Sequence, residues 1–176
     1  MMLQGKTIHL RALEPTDLDY LYALENDSNL WEVSHTLTPF SKYVLSQYLE
    51  NSHRDIFDVK QLRLMIEHTE TNQALGCIDL FDFNPQHHRV GVGLVIFDTA
   101  QRSKGYAAQS LSLICAYAKE YLQVHQVFAN ISEENNVSIS LFEKAGFIKS
   151  GIKKDWNYTQ NSYKDEFVYQ RILANK

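Results

Sequence analysis

Cysteine is almost missing from this chain of 176 residues: Cys77 and Cys115 are the only two. Each lies inside an apolar run, so both read as reduced core thiols and the chain as a cytoplasmic protein rather than a secreted disulfide scaffold. Long apolar runs are absent as well, and nothing approaches the ~18 residues of a membrane-spanning helix. The first residues, Met-Met-Leu-Gln-Gly-Lys, lack the apolar stretch of a secretory signal. A basic surplus is also lacking, with 17 Lys and Arg against 21 Asp and Glu and a net charge of −4, which argues against a nucleic-acid partner. His87 and His88 have no Cys, His or Asp partners at ligand spacing, so no metal site is expected. There is no internal repeat, low-complexity tract or linker. Residues 1–176 read as one domain, long enough for a sizeable core.

What is present centres on residues 90–122. An apolar strand, Val92-Gly-Leu-Val-Ile-Phe97, enters a polar loop containing Arg102, Ser103, Lys104 and Gly105. A helical pattern follows, with Ala107, Ala108, Leu111, Ile114, Cys115 and Ala118 on one face. The first N–H groups of a helix have no intrahelical partner and sit at the positive end of its dipole. A glycine there lets an anion approach the backbone, so the arrangement suits phosphate. An ordinary turn glycine between solvated charges is the alternative. The nucleoside-triphosphate signature G-x-x-x-x-G-K-[ST] is missing. A dinucleotide fingerprint is missing too, because Gly91 and Gly93 precede the apolar core of the strand and position 96 is Ile.

In chain order, alternation and turn residues predict a strand over 6–11, a helix over 15–26, a loop over 30–40 and a second helix capped by Ser41. Strands over 61–67 and 75–83 make a hairpin, and Asn84 to His88 turn the chain into the strand before the phosphate loop. A helix over 105–122, a strand over 126–132 and a helix over 136–145 follow, the last closed by Gly146. Strands over 147–153 and 166–173 finish the chain, joined by a loop.

The spacing Arg102-x-x-Gly105-x-Ala107 resembles the R/Q-x-x-G-x-G/A pyrophosphate motif of the GNAT superfamily of N-acetyltransferases. Asn135-Asn-Val-Ser-Ile-Ser-Leu-Phe-Glu-Lys-Ala-Gly-Phe147 is similar to that superfamily's N-x-x-[SA]…L-[YF]-E-K-x-G-F segment. The resemblance spans residues 6–173, and its specific part runs from Val92 to Phe147. It implies an α+β GNAT fold: a mixed, mostly antiparallel sheet of about seven strands, splayed in the middle and flanked by about four helices, in the order β-α-α-β-β-β-α-β-α-β-β. It further implies acetyl-CoA as co-substrate and direct acetyl transfer to a primary amine. Val95, Ile96 and Phe97 would pair with the pantetheine arm as an added strand. Arg102, Ser103, Lys104, Gly105, Tyr106 and Ala107 would hold the pyrophosphate. Asn135 would hydrogen-bond the CoA arm, although a helix cap explains it too, and Phe142 would line the thiol end. The segment 155–165 resembles both the spermidine/diamine N-acetyltransferases and the ribosomal-protein N-terminal acetyltransferases. The acceptor is therefore a polyamine-like amine or a peptide α-amine. Family analogy also implies a homodimer or higher homo-oligomer through the last hairpin.

No catalytic residue transfers by motif. Phe142 stands where many members carry a thiolate-protonating Tyr, and the strand that often bears a Glu offers Gly91, Val92 and Gly93. A non-catalytic acyl-CoA-binding module is the second reading that follows. Candidate acids are Tyr106, Tyr158, Tyr163 and Tyr169; candidate bases or anchors are Asp79, Asp82, His87, His88, Glu32 and His35. The substrate set is Trp31, Glu32, Asp79 and Tyr163. Asp79 and Asp82 are three positions apart, so a regular strand sends them to opposite faces. Glu14, Asp17, Asp19, Glu25, Asp27 and Glu32 outnumber Lys6 and Arg11 near the N-terminus, which suits a cationic acceptor or a solvated helix face equally.

Overall fold

The computed structural model describes residues 3–34 and 36–173. Among these residues seven strands form one sheet in the order β1-β2-β3-β4-β5-β7-β6. They are β1 (Ile8–Arg11), β2 (Leu62–His68), β3 (Ala74–Asn84), β4 (Arg89–Ile96), β5 (Gln126–Ser132), β6 (Ile148–Thr159) and β7 (Ser162–Ile172). The β4–β5 pair is parallel and the other five neighbouring pairs are antiparallel. Among the described residues six α-helices flank the sheet: α1 (Leu18–Glu25), α2 (Ser28–Ser34), α3 (Lys42–Glu50), α4 (Ile56–Val59), α5 (Tyr106–Glu120) and α6 (Asn136–Lys144).

The period-two pattern sorts side chains between two cores. Ile66, Ile78, Leu80, Val92 and Ile96 face α5 and α6, where Leu111, Ile114, Ala118 and Phe142 close the layer. Met65 and Cys77 face the other way, against Leu21 and Leu24 of α1 and Leu49 of α3. The caps follow the sequence. Ser41 accepts from Val44 N at 3.1 Å, and Gly146 closes α6 at φ 85°.

The sheet splits in its middle. β4 pairs with β5 only through Arg89–Gly91, opposite Gln126–Phe128. Beyond that, β4 stays on β3 and β5 stays on β7, so residues 92–96 have no β5 partner. The GNAT architecture implied by the motifs is what the chain adopts.

Three local expectations need correction. Residues 28–34 form α2 where a loop was expected across 30–40: Asp27 Oδ1 accepts from Asn29 N at 3.0 Å, so Asp27 starts a helix instead of merely ending one. Trp31 Nε1 then donates to Glu25 O at 2.9 Å and ties α2 to the end of α1. Together with the single-turn α4, this raises the helices from about four to six. The expected final loop is instead the continuation of β6 and β7, which meet at Gln160 (φ 50°) and Asn161 (φ 61°). Two left-handed residues in succession match the twist of a two-residue hairpin, and the Tyr158–Tyr163 pair, with centroids 5.0 Å apart, packs across it.

Candidate functional site

The candidate phosphate loop is built by local hydrogen bonds. After β4, Asp98 Oδ1 accepts from Ala100 N at 2.9 Å and caps a single 3-10 turn over Thr99–Gln101. Arg102 Nε donates back to Ile96 O at 3.0 Å, pinning the loop to the end of β4. Lys104 Nζ donates to Gln101 Oε1 at 2.8 Å. Ser103 at φ 62° and Gly105 at φ 83° turn the chain into α5. Gly105 is the N-cap and supplies no capping side chain, and apart from its chain neighbours no atom lies within 4 Å of where a Cβ on it would sit. The N–H groups of Tyr106, Ala107 and Ala108 lie in the first turn of α5, where they have no intrahelical partner, as an anion cradle requires. Tyr106 also packs edge-on to His68 at 5.9 Å.

Val95, Ile96 and Phe97 lie along the β4 edge that leaves β5. The Phe97 N–H is already committed to Leu75 O at 2.9 Å, and its ring meets Tyr20 at 5.6 Å. Burial raises the pKa of the Tyr20 phenol, whose oxygen has no partner among the described residues. On the other arm, Asn135 caps α6, its Oδ1 accepting from Ser138 N at 3.1 Å, so its side-chain N–H groups are what it can offer a ligand. Phe142 is buried edge-to-face with Phe147, centroids 4.9 Å apart. Between α5 and α6 lies a cavity of about 370 Å³ lined by Ala108, Ser112, Leu141, Lys144, Ala145 and Arg171.

The opposite face of the sheet carries a second cavity, of about 500 Å³, whose walls include Glu25, Ser34, Phe40, Tyr48, Gln61 and Arg63. Arg63 organises it. Nε and Nη2 donate to the two oxygens of Asp79 at 2.6 and 3.0 Å, Nη1 donates to Glu25, and the guanidinium lies 6.0 Å from the Tyr48 ring centroid. Burial would pull the Arg63 pKa down, but the two carboxylates outweigh it and hold the group charged well above its ordinary range. Burial also raises the Tyr48 phenol. Sequence reading overlooked Glu25, Tyr48 and Arg63 as a unit. The visible signal was a lone Arg between Leu62 and Leu64 in an otherwise apolar strand.

The remaining sequence candidates are scattered. Trp31 is tied to α1 as above, and Glu32 is exposed on α2. Tyr158 and Tyr163 sit exposed at the hairpin tip. Tyr169 is buried and donates to Glu143 Oε1 at 3.0 Å, which commits its proton. Asp82 is exposed at a β-bulge with φ 48°. His87 and His88 precede Arg89, at the end of β4 away from the phosphate loop; His88 Nδ1 lies 2.9 Å from Gln123 O. His35 lies outside the described residues. Among the described residues no group of His, Cys, Asp or Glu could hold a metal ion, and no helix is long and apolar enough to cross a membrane.

This geometry agrees with what the chain resembles. The model of the acetyltransferase (GNAT) domain matches residues 7–148. The spermidine N(1)-acetyltransferase of Vibrio cholerae is 26% identical over 156 residues, covering 89% of this chain and 87% of the relative. The Escherichia coli K12 spermidine N(1)-acetyltransferase is 25% identical over 150 residues, covering 85% and 77%. Among solved structures, the Vibrio cholerae spermidine N-acetyltransferase in complex with CoA and spermine superposes with a TM-score of 0.85 at 22% identity, covering 96% of each chain. A dodecameric form of that enzyme matches with a TM-score of 0.78 at 22% identity, covering 96% of this chain and 95% of the other. The splayed sheet, the open cradle at the α5 N-terminus and the family match over residues 7–148 agree, and the chain belongs to the GNAT family of acetyl-CoA-dependent acetyltransferases.

Proposed function

We propose that the protein transfers the acetyl group of acetyl-CoA directly to a primary amine of a polyamine- or diamine-like molecule or of a peptide N-terminus. The observation that carries this is the unpaired β4 edge over residues 92–96 leading straight into the open cradle from Arg102 to Ala107. The bound thioester supplies an activated acetyl carbon. The chain supplies placement, and orientation alone accounts for a large share of such rate enhancements. The α5 N-terminus takes the pyrophosphate, and the unpaired β4 backbone takes the pantetheine amides in the manner of an added strand. Asn135 reaches the same arm through its side-chain N–H groups. Ser112, Lys144 and Arg171 line the cavity that accepts the phosphorylated adenosine end. Phe142 shapes the thiol end without supplying a proton. The departing thiolate can take its proton from solvent, because a free thiol has a pKa near ~8.5.

The acceptor enters from the opposite face, where Arg63 carries two carboxylates and the group as a whole is anionic. That balance favours an ammonium over an anion, in keeping with the spermidine acceptors named for the two relatives. A thiol-release assay with acetyl-CoA across spermidine, other diamines and N-terminal peptides tests the reading. Turnover well above CoA background on one amine class is expected. CoA binding by calorimetry without turnover on any of them would make the protein a binding module instead.

The same reading includes self-association. β6 is an edge strand, and Ile148, Ile152 and Trp156 on it are exposed, which a lone chain in water would be expected to cover. Light scattering reads the assembly directly.

A further inference from the structure

The acetyltransferase reading leaves one task without an owner: an amine that arrives as an ammonium must lose a proton before it can attack. The candidates named from sequence mostly remove themselves. Tyr169 is committed to Glu143, Asp82 sits exposed on a bulge, and His87 and His88 lie at the far end of β4. Glu166 is only 3% exposed and accepts from Lys153 at 2.9 Å.

Asp79 is placed differently. In the sheet register Arg63 lies opposite Asp79, and Asp79 lies opposite Gly93. Directly opposed residues share a face, with Cβ positions about 4.5–5.5 Å apart. The three therefore form a row across β2, β3 and β4 that runs toward the split between β4 and β5. The last member of the row has no side chain. A Cβ on Gly93 would meet only the Phe81 ring, at 3.9 Å, so no side chain of this row stands between Asp79 and the unpaired β4 edge.

The charged trio is graded in exposure along the same direction. The Glu25 side chain is 11% exposed, Arg63 23% and Asp79 31%, so Asp79 is the member that meets solvent most. Each Asp79 oxygen accepts one Arg63 N–H, and each keeps a further lone pair. Because Glu25 also binds the guanidinium, one cation serves two carboxylates, and the unit retains a negative charge to attract an ammonium.

We infer that Asp79, reaching over Gly93, orients the acceptor ammonium and takes the proton it loses. The inference rests on the acetyltransferase reading. One N–H bond of the ammonium breaks and its proton passes to Asp79, directly or through one water. The freed nitrogen lone pair forms the bond to the acetyl carbon while the carbon–sulfur bond breaks, leaving its electron pair on sulfur. The second proton shed by nitrogen reaches that sulfur through solvent, and Asp79 returns its own proton to water.

The test uses Asp79→Asn, which keeps an oxygen for Arg63, and the double variant Asp79→Asn with Gly93→Glu, which puts a carboxylate at the next position of the row. With the amine the wild type acetylates best, Asp79→Asn is expected to lower kcat about 10²- to 10⁴-fold, the span of a general base, and to abolish the acidic limb of the pH–rate profile. CoA affinity by calorimetry stays within about twofold, since that site lies on the other face, and the double variant recovers at least about tenfold with the acidic limb restored. An Asp79→Asn enzyme with wild-type kcat and pH profile overturns the inference. So does a loss that comes with weakened CoA binding or a lowered Tm and is not recovered by Gly93→Glu. A wild type inert toward the whole amine panel overturns the acetyltransferase reading itself, a result seen before any variant is made.

Discussion

The rings of Phe81 and Phe128 meet edge to face with centroids 5.6 Å apart, and they do so over Gly91, where β4 and β5 make their last pairing. Phe81 on β3 thus reaches across β4 to β5 and plugs the apex of the split. A Cβ on Gly91 would collide with the Phe81 ring, whereas one on Gly93 would only touch it. Gly91→Ala is expected to destabilise the fold by about 1–3 kcal/mol, the usual range for forcing extra volume into a packed site. Gly93→Ala is expected to be neutral or to stabilise by up to about 1 kcal/mol, since it removes strand-glycine entropy without a clash. Urea unfolding of the two variants decides this. Equal stabilities would mean that the aromatic contact does not hold the apex.

The bond from Arg102 Nε to Ile96 O makes this side chain a brace for the loop as well as a charge beside it. A lysine keeps the charge but cannot reproduce a directed Nε–H. Arg102→Lys is therefore expected to weaken CoA binding nearly as much as Arg102→Ala, about 5- to 30-fold by calorimetry, the effect of about 1–2 kcal/mol. Gly105→Ala should cause a similar loss, because a side chain at φ 83° costs about 1–2 kcal/mol of strain and the cradle must shift to relieve it. Full recovery with lysine would show that charge alone matters at position 102.

The cofactor side proposed for the molecule could be assembled from the sequence because its parts are contiguous. A strand, a glycine at a left-handed turn and a helix N-terminus follow one another from Val92 to Ala107, and Asn135 to Phe147 repeats the logic on the other arm. On the proposed acceptor side the sequence offered Asp79 but not its partners, because Glu25, Tyr48, Arg63 and Asp79 come from four elements and meet only when α1 and α3 pack on the sheet. The last hairpin escaped for a local reason: Gln160 and Asn161 both take left-handed angles without a glycine between them. Gly91 and Gly93 stand two positions apart in one apolar strand, and the sequence does not tell them apart. Only the position of Phe81 separates a packing requirement at one from open space at the other.

Neither cysteine should interfere with a thiol-release assay. Cys77 and Cys115 are buried, and burial pushes their thiols up to about 12 and about 11. The reactive form is the thiolate, so both should be silent toward Ellman's reagent at pH 8. The folded protein is expected to titrate less than about 0.2 thiol per chain within minutes, and two per chain once unfolded in guanidinium. Rapid reaction of either thiol in the native state would mean that its surroundings open on that timescale.

Acid should unfold the protein partly through Asp17. Burial acts to raise the pKa of this carboxyl, but the two Arg11 N–H donors, both at 2.9 Å, and the Glu14 N–H at 2.8 Å outweigh it and hold the pKa below the ordinary 3.8. The unfolded chain then takes up the proton at a higher pH than the folded one. The stabilisation is complete above the unfolded value and is lost as pH falls through the folded value. Asp17→Asn is expected to cost about 2 kcal/mol at pH 7, in line with hydrogen bonds to a charged group, with Glu67 still holding Arg11 Nε at 2.5 Å. The gap from wild type should close as pH falls below about 4, because wild type loses the contribution there and the variant has none to lose. Urea unfolding at pH 7, 5, 4 and 3 reads it, and a gap that stays constant across that range would place the Asp17 contribution in packing rather than in its charge.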